Sequence, residues 1–217
     1  MKLTLEKNQK LFFTSDTHYA HTNICRGVTS WKDAEDKTRD FKTLDAMNAA
    51  IVNNINTKVG QDDILIHLGD FSFGGFDKII EFRKRIVCKN IILVYGNHDH
   101  HIQRNKDGVQ GYFMKTTQYL NLSVVSNPGT LLTSETHFVC FHYPIASWEN
   151  MNKGVYHLFG HVHLPGNKKL LDNRSMDVGM DGNNYTPYEL HEVVRILKSQ
   201  SVKSLLPYND HHVTEVR

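Results

Sequence analysis

Apolar and polar positions along the chain fall into two alternating rhythms. Short runs rich in Val, Ile, Leu, Phe and Tyr occur at "LFFTS" (11–15), "DILIHL" (63–68), "IILVY" (91–95), "HFVCF" (137–141) and "VYHLF" (155–159), each of a length that predicts a buried strand. Between the first three the spacing turns helical. Leu44, Met47, Ile51 and Ile55 share one face of "TLDAMNAAIVNNIN", with Thr43 placed to cap it, and Phe76, Ile79, Ile80, Phe82 and Ile86 repeat the pattern in "FDKIIEFRKRIV". Strand, helix, strand, helix, strand predicts right-handed crossovers and a parallel arrangement at the start. Turn chemistry in "SNPG", "LPGN" and "DGNN" predicts that later strands pair locally and that the sheet becomes mixed. Leu190, Val193, Val194 and Leu197 in "YELHEVVRIL" predict one late helix. No repeat, low-complexity segment or linker divides the chain, so one domain is expected over 1–217, with a loose tail from about residue 207.

Charge and cysteine content narrow the picture. With 25 basic and 23 acidic side chains the net charge is +2, too small for the global field of a non-specific duplex or acidic-membrane binder. Lys78, Arg83, Lys84, Arg85 and Lys89 form the one basic stretch, but they alternate with apolar residues at helical spacing and predict a solvated helix face. Three cysteines, Cys25, Cys88 and Cys140, make no CxxC pair and no even framework, which points to a reducing cytoplasm and away from thiolate zinc. No signal-peptide core or membrane-length apolar run is present, so a soluble, unexported protein is expected. The 14 histidines direct attention to imidazole ligation.

Each of the five predicted strands runs straight into ligand-capable residues: Asp16 and His18, then Asp70, then Asn97, His98 and Asp99, then His142, then His161 and His163. Carboxyl ends of neighbouring strands converge on one sheet edge, where ligand sites form. The glycines at 69, 96 and 160 suit a chain leaving a strand sharply beside a ligand. Oxygen plus imidazole nitrogen, without thiolate, suits Mn, Fe, Zn, Ni or Co more than Ca or Mg. In Asp16-Thr17-His18 and His161-Val162-His163 the i, i+2 spacing puts both members on one side if the segment is extended. Seven ligands exceed the needs of one ion with open positions, and a pair of ions sharing a carboxylate would use them.

DxH, GD, GNHD, a lone His and GHxH, in that order, resemble the calcineurin-like metallophosphoesterase superfamily. "FTSDTHYAHTNI", "DDILIHLGDFSFGGF", "HYPIASW" and "MDVGMDGNNYTP" extend the likeness over roughly residues 11 to 190, toward the small uncapped phosphoesterases of bacteria and tailed phages. The resemblance implies an α/β fold, a four-layer α/β/β/α sandwich with mixed sheets. It implies a hydrolase of phosphodiester or phosphomonoester bonds carrying two divalent ions, Mn foremost, with Asp16, His18 and His163 on one, Asn97, His142 and His161 on the other and Asp70 between them. A hydroxide held between the ions would attack phosphorus, His98 would stabilise the developing charge or protonate the leaving oxygen, and Asp99 could orient His98. His21, Asn23 and Arg39 are candidates for substrate contact, Arg39 by forking onto a phosphate oxygen. The expected partner is a phosphate ester, a nucleotide or oligonucleotide among the candidates, in the cytoplasm or, for a phage-borne chain, that of the host.

Other residues carry plainer expectations. Phe73 stands where the superfamily pattern after GD often has Asp or Arg, so the polar partner that this position usually supplies to one metal-binding His is absent or comes from elsewhere. His67 and His157 lie inside strand patterns and read as satisfied core histidines, His100 and His101 as a polar loop, His211 and His212 as solvated tail, and Asp177 and Asp181 as turn formers. The competing class is a non-catalytic protein-binding scaffold on the same fold, which has no need of a complete ligand set plus His98. Metal binding for structure alone is a third reading.

Overall fold

The five apolar runs all become strands, and they divide between two sheets. The computed structural model describes residues 1–32, 35–125, 135–166, 168–171 and 173–202. The expected tail from about 207, with His211 and His212, lies outside the described residues. In chain order the elements are β1 (Lys2–Thr4), β2 (Leu11–Thr14), α1 (Leu44–Lys58), β3 (Ile64–His67), α2 (Gly75–Arg85), β4 (Asn90–Val94), α3 (His100–Gln103), β5 (Lys115–Thr117), β6 (Tyr119–Val125), β7 (Thr136–Phe141), β8 (Tyr156–Phe159), β9 (Ser175–Asp177), β10 (Tyr188–Glu189) and α4 (Leu190–Lys198). One sheet has the order β10-β2-β3-β4-β5, parallel except for β10; the other has β1-β6-β7-β8-β9, with only β6 and β7 antiparallel.

Period-two side-chain alternation explains the layering. Phe13, Ile66 and Ile92 face the other sheet and pack with Leu122, Phe138 and Leu158. Their neighbours Phe12, Leu65 and Ile91 point the opposite way, onto Ile51 and Ile55 of α1 and Ile79 and Phe82 of α2. Burial on both faces is why these strands read as continuous apolar runs, each fully buried Ile, Leu or Phe contributing about 1.5–3 kcal/mol. Thr43 caps α1 as its sequence predicts, its hydroxyl accepting from the Ala46 N–H at 3.1 Å. Glu189 and Glu192 close a capping box at the start of α4, whose Leu190, Val193, Val194 and Leu197 enter the core between the sheets.

The two mixed sheets and the helical layer of α1 and α2 match the expected sandwich. The layer outside the second sheet is slight among the described residues: a 3-10 turn at Met151–Lys153 and its flanking loop, packing Trp148, Met151 and Ile145 on Val139. His157 lies on that same outer side, its Nδ1–H donating to the Val139 carbonyl at 3.0 Å and its Nε2 accepting from the Ile145 N–H. On α2, Arg83 donates to the Tyr112, Ile86 and Lys89 carbonyls and Arg85 to the Tyr19 hydroxyl, so part of the basic stretch binds protein acceptors in addition to facing solvent. Cys25, Cys88 and Cys140 are buried free thiols. Among the described residues no helix is long and apolar enough to cross a membrane.

Candidate metal centre

Every polar segment that follows one of the five strands arrives at one place, but from two sheets and not from a single edge. Asp16, Asp70 and Asn97 come from the ends of β2, β3 and β4; His142, His161 and His163 come from β7 and β8 of the facing sheet. Backbone hydrogen bonds weld the loops together: Asp16 N to Gly69 O at 2.9 Å, His18 N to Asp70 O at 3.0 Å, and Gly160 N to His142 O at 2.9 Å. The loops are not extended. Asp16, His18, Asp70, His161 and His163 have φ of 55°, 47°, 55°, 71° and 49°, so five of the expected ligands are left-handed without being glycine. Each such residue costs of order 1–3 kcal/mol, a strain that concentrates where function needs it. The i, i+2 pairs therefore converge through two left-handed residues flanking a third, and the extended segment expected for them is corrected accordingly.

Three imidazoles are turned so that one nitrogen faces inward. The Nδ1–H of His142 donates to the Leu68 carbonyl at 2.7 Å, and that of His163 to Asp181 Oδ2 at 2.7 Å. His18 Nδ1 lies 3.3 Å from His21 Nδ1. The carbonyl and carboxylate partners leave Nε2 of His142 and His163 as lone pairs, and His18 Nε2 faces the same small volume. His18 Nε2 and His163 Nε2 are 3.1 Å apart, and His142 Nε2 is 3.0 Å from Asn97 Oδ1. Asp70 spans the gap, with Oδ2 3.5 Å from His18 Nε2 and Oδ1 3.7 Å from His142 Nε2. Asp16 Oδ1 lies 3.7 Å from His18 Nε2 and 3.5 Å from His163 Nε2, and is buried with no hydrogen-bond partner among the described residues. An orphaned carboxylate oxygen ringed by inward lone pairs is what a cation would satisfy, so this donor set fits a divalent metal.

Ligand atoms of Asp16, His18 and His163 all lie within 4.8 Å of one another, and so do those of Asp16, Asp70 and His142. Asp16 thus belongs to both groups by distance. Asp16 brings Oδ1 toward His18 and His163 while its Oδ2 accepts the His161 N–H at 2.9 Å, whereas Asp70 directs Oδ2 toward His18 and Oδ1, which also accepts the His98 N–H, toward His142. The His161 ring stands 5.2 Å from that of His142 and 4.8 Å from Tyr143, at the cavity wall.

Electrostatics follow the same arrangement. Burial opposes ionisation of Asp16, yet the surrounding His18, His163 and His142 hold its carboxyl well below the usual range. Burial pushes His18 down, partly offset by Asp16, and pushes His67 down to about 3. His67 is satisfied as a core histidine should be, through Thr17 Oγ1 at 2.9 Å and the Gly69 N–H at 3.2 Å. His21 is pushed down to about 3, by burial first and then by its imidazole neighbours.

The remaining expected site residues sort themselves by their partners. His98 is 42% exposed over the cluster, its Nε2 3.9 Å from Asp70 Oδ2 and its N–H donating to Asp70 Oδ1 at 2.9 Å. Asp99 has a different job from the one expected: its carboxylate accepts the backbone N–H groups of Asp70, Phe71 and Gly96 at 2.8–3.0 Å, tying two ligand loops together instead of orienting the His98 ring. Arg39 is corrected too. Its guanidinium is buried and forks onto both oxygens of Asp181 at 2.8 Å, with further donors on the Thr17 and Asp16 carbonyls at 2.8 and 2.6 Å, so it clamps the first ligand loop where a phosphate contact was expected. Asn23 accepts from Ser30 and holds a loop, and His21 stacks on Phe73 at 3.6 Å.

Asp181 is the residue that sequence reasoning passed over. Read as a turn former, it joins Arg39 to His163 and is held well below the ordinary carboxylate range, burial being outweighed by the Arg39 charge. Its partner lies 142 residues away, and "MDGN" itself carries a turn signal; only the wider likeness of "MDVGMDGNNYTP" marked it. Asp177 is the turn former expected, accepting from Gly179 N at 2.7 Å and Leu164 N at 2.9 Å.

Facing sheets deliver a buried carboxylate and imidazole cluster, a candidate site for divalent cations, to their common edge beside an open cavity of about 510 Å³. The chain belongs to the calcineurin-like phosphoesterase family, whose model matches residues 9–177. It is 23% identical over 199 residues to the uncharacterized protein MJ1445 of Methanocaldococcus jannaschii, covering 89% of this chain and 94% of that one. It is 25% identical to the Gene 66 protein of Mycobacterium phage D29, covering 79% of this chain and 87% of that one. The crystal structure of AQ665 from Aquifex aeolicus, a protein of unknown function, shares the fold with a TM-score of 0.61 at 23% identity, over 87% of this chain and all of that one. The family implies phosphate-ester substrates and hydrolytic chemistry.

Proposed function

We propose that the chain is a metal-dependent phosphoesterase working through a dinuclear centre, Mn being the foremost candidate, and hydrolysing phosphodiester or phosphomonoester bonds. The observation that carries this reading is Asp70, whose two oxygens diverge toward His18 and His142 while Asp16 Oδ1 lies buried without a partner. Asp16, His18 and His163 would hold one ion; Asn97, His142 and His161 the other; Asp70 both. When bound, such ions supply Lewis-acid polarisation of phosphoryl oxygens and activation of water. His98, half exposed beside Asp70, is placed to give a proton to the leaving oxygen. Asp181 and the Leu68 carbonyl keep His163 and His142 in the tautomer that offers Nε2 inward. Arg39 and Asp99 hold the ligand loops at their left-handed geometry from outside.

The test is hydrolysis of bis-4-nitrophenyl phosphate and of 4-nitrophenyl phosphate by metal-stripped protein with Mn, Ni, Zn or Mg restored. Turnover recovered with a transition metal supports the reading, and the rates rank diester against monoester. Asp70→Asn is expected to lose at least about a hundredfold in kcat, as removal of a major electrostatic element does. Wild-type turnover in a folded, metal-loaded Asp70→Asn protein would overturn the dinuclear assignment, and no turnover with any metal would favour the scaffold.

A further inference from the structure

The cavity beside the cluster continues along a wall built by the segment between the first ligand pair and α1. That segment folds back on itself: Arg39 N donates to Ile24 O at 2.7 Å, Arg26 N to Arg39 O at 3.0 Å and Gly27 N to Phe41 O at 2.9 Å. Its tip is tied as well, Ser30 Oγ donating to Asn23 Oδ1 at 3.0 Å and Trp31 N to Thr29 Oγ1 at 3.1 Å. Through Arg39 this backbone pairing is anchored under the Asp16 ligand loop. Trp31 lines the cavity wall with 43% of the residue exposed, an unusual position for so large an apolar ring. His21 lies edge-on to it at 6.1 Å and flat on Phe73 at 3.6 Å, and Ile24 lines the wall beside them.

We infer that this wall is a base-binding slot, and that the ester cleaved at the cluster is a nucleoside phosphate whose base stacks on Trp31. The inference rests on the phosphoesterase reading above and names its substrate class. The His18 ring at the cluster is 5.2 Å from His21, Trp31 is 6.1 Å from His21, and all three line one cavity, which extends past the cluster far enough to take a group larger than the phosphate itself. A nucleoside phosphate carries a pentose between phosphorus and base, a spacer that would let the base leave the cluster for the aromatic wall of Trp31, His21 and Phe73. Asp36 and Lys37 both line the rim, so nothing there adds attraction for a long polyanion. Stacking, which tolerates any base, is the chemistry the wall offers.

Two 4-nitrophenyl diesters with the same leaving group test this: the thymidine 5′ ester and the methyl ester. Wild-type protein is expected to show a kcat/KM at least about tenfold higher for the thymidine ester, the scale of one base stacked on an aromatic ring. Trp31→Ala should reduce the ratio of the two kcat/KM values about tenfold, mainly through KM, and Trp31→Phe should restore most of it. A readout without turnover accompanies this. The chain has two tryptophans, Trp31 and the buried Trp148, so thymidine monophosphate should quench emission in wild type and not in Trp31→Phe, while inorganic phosphate should leave it unchanged. Equal kcat/KM for the two esters and no quenching would overturn the slot. Quenching with neither ester hydrolysed would keep the slot and overturn the phosphoesterase reading instead.

Discussion

Asp181 connects two systems that would otherwise be independent. One oxygen accepts the Nδ1–H of His163 and the guanidinium of Arg39, and the other accepts Arg39 again, so one carboxylate fixes a ligand tautomer and neutralises a buried cation. Asp181→Asn keeps the shape but loses the charge, leaving Arg39 without its counter-ion. Partners of ligating histidines typically matter by about ten- to a hundredfold in metal affinity, and the variant is expected to lose that much in a competitive metal titration. Unfolding should become easier by about 3 kcal/mol, since removing one partner of a buried pair strands the other. Unchanged affinity would mean that the Asp181 charge does not tune His163 as a ligand. Arg39 and Asp99 teach the same lesson about what a sequence shows. Their neighbourhood in the motifs was legible, but their partners are the Asp16 and Thr17 carbonyls and three backbone N–H groups, and no residue type announces a backbone partner in advance.

Strand ends, more than strands, are what this sequence encodes for chemistry. The five runs were legible because both their faces are buried, and so were α1 and α2, whose apolar spacing repeats at the helical period. β6 went unread although its alternation is regular: Leu120, Leu122 and Val124 face the core between Asn121 and Ser123, and polar neighbours diluted the run. The left-handed residues were not legible at all, because Asp and His carry no local preference strong enough to require that backbone; loop-to-loop hydrogen bonds impose it. Glycine at the strand ends was legible for a reason the structure makes specific. After β8, a Cβ on Gly160 would press into Ser15 Oγ and Asp16 Oδ2 from the opposite sheet. Gly160→Ala is therefore expected to cost about 1–3 kcal/mol from overpacking, read as a fall of several degrees in Tm. Gly111→Ala, where a Cβ meets open space within 4 Å, is the control and should melt as the wild type does. Equal melting of the two variants would mean the loops yield easily and the close approach is not a constraint.

At the scale of the whole molecule the cluster is the point where two sheets close on each other. Asp16, Asp70 and Asn97 stand on one side of the seam and His142, His161 and His163 on the other, and the apolar core of Phe13, Ile66, Phe138 and Leu158 lies behind them. Without a cation the seam holds a buried, unpartnered carboxylate oxygen and inward lone pairs, with five strained residues kept there by backbone ties and by the Arg39, Asp99 and Asp181 side chains. A bound ion converts that mutual repulsion into attraction and staples both sheets together at the site. Metal at about a hundred times its Kd adds about 2.7 kcal/mol to the folded state by mass action, equivalent to a rise of about 5–10 °C for a chain of this size. Calorimetry of stripped and Mn-loaded protein should show that rise as one transition moving as a whole, because the ligands belong to both sheets and neither can unfold without releasing the ion. In Asp16→Asn the metal-dependent rise should largely vanish, since the oxygen that faces His18 and His163 no longer carries charge. Identical melting of stripped and loaded wild-type protein would mean that the seam is held by the apolar core alone. A transition that splits on loading would mean that the ligands of only one sheet hold the ion.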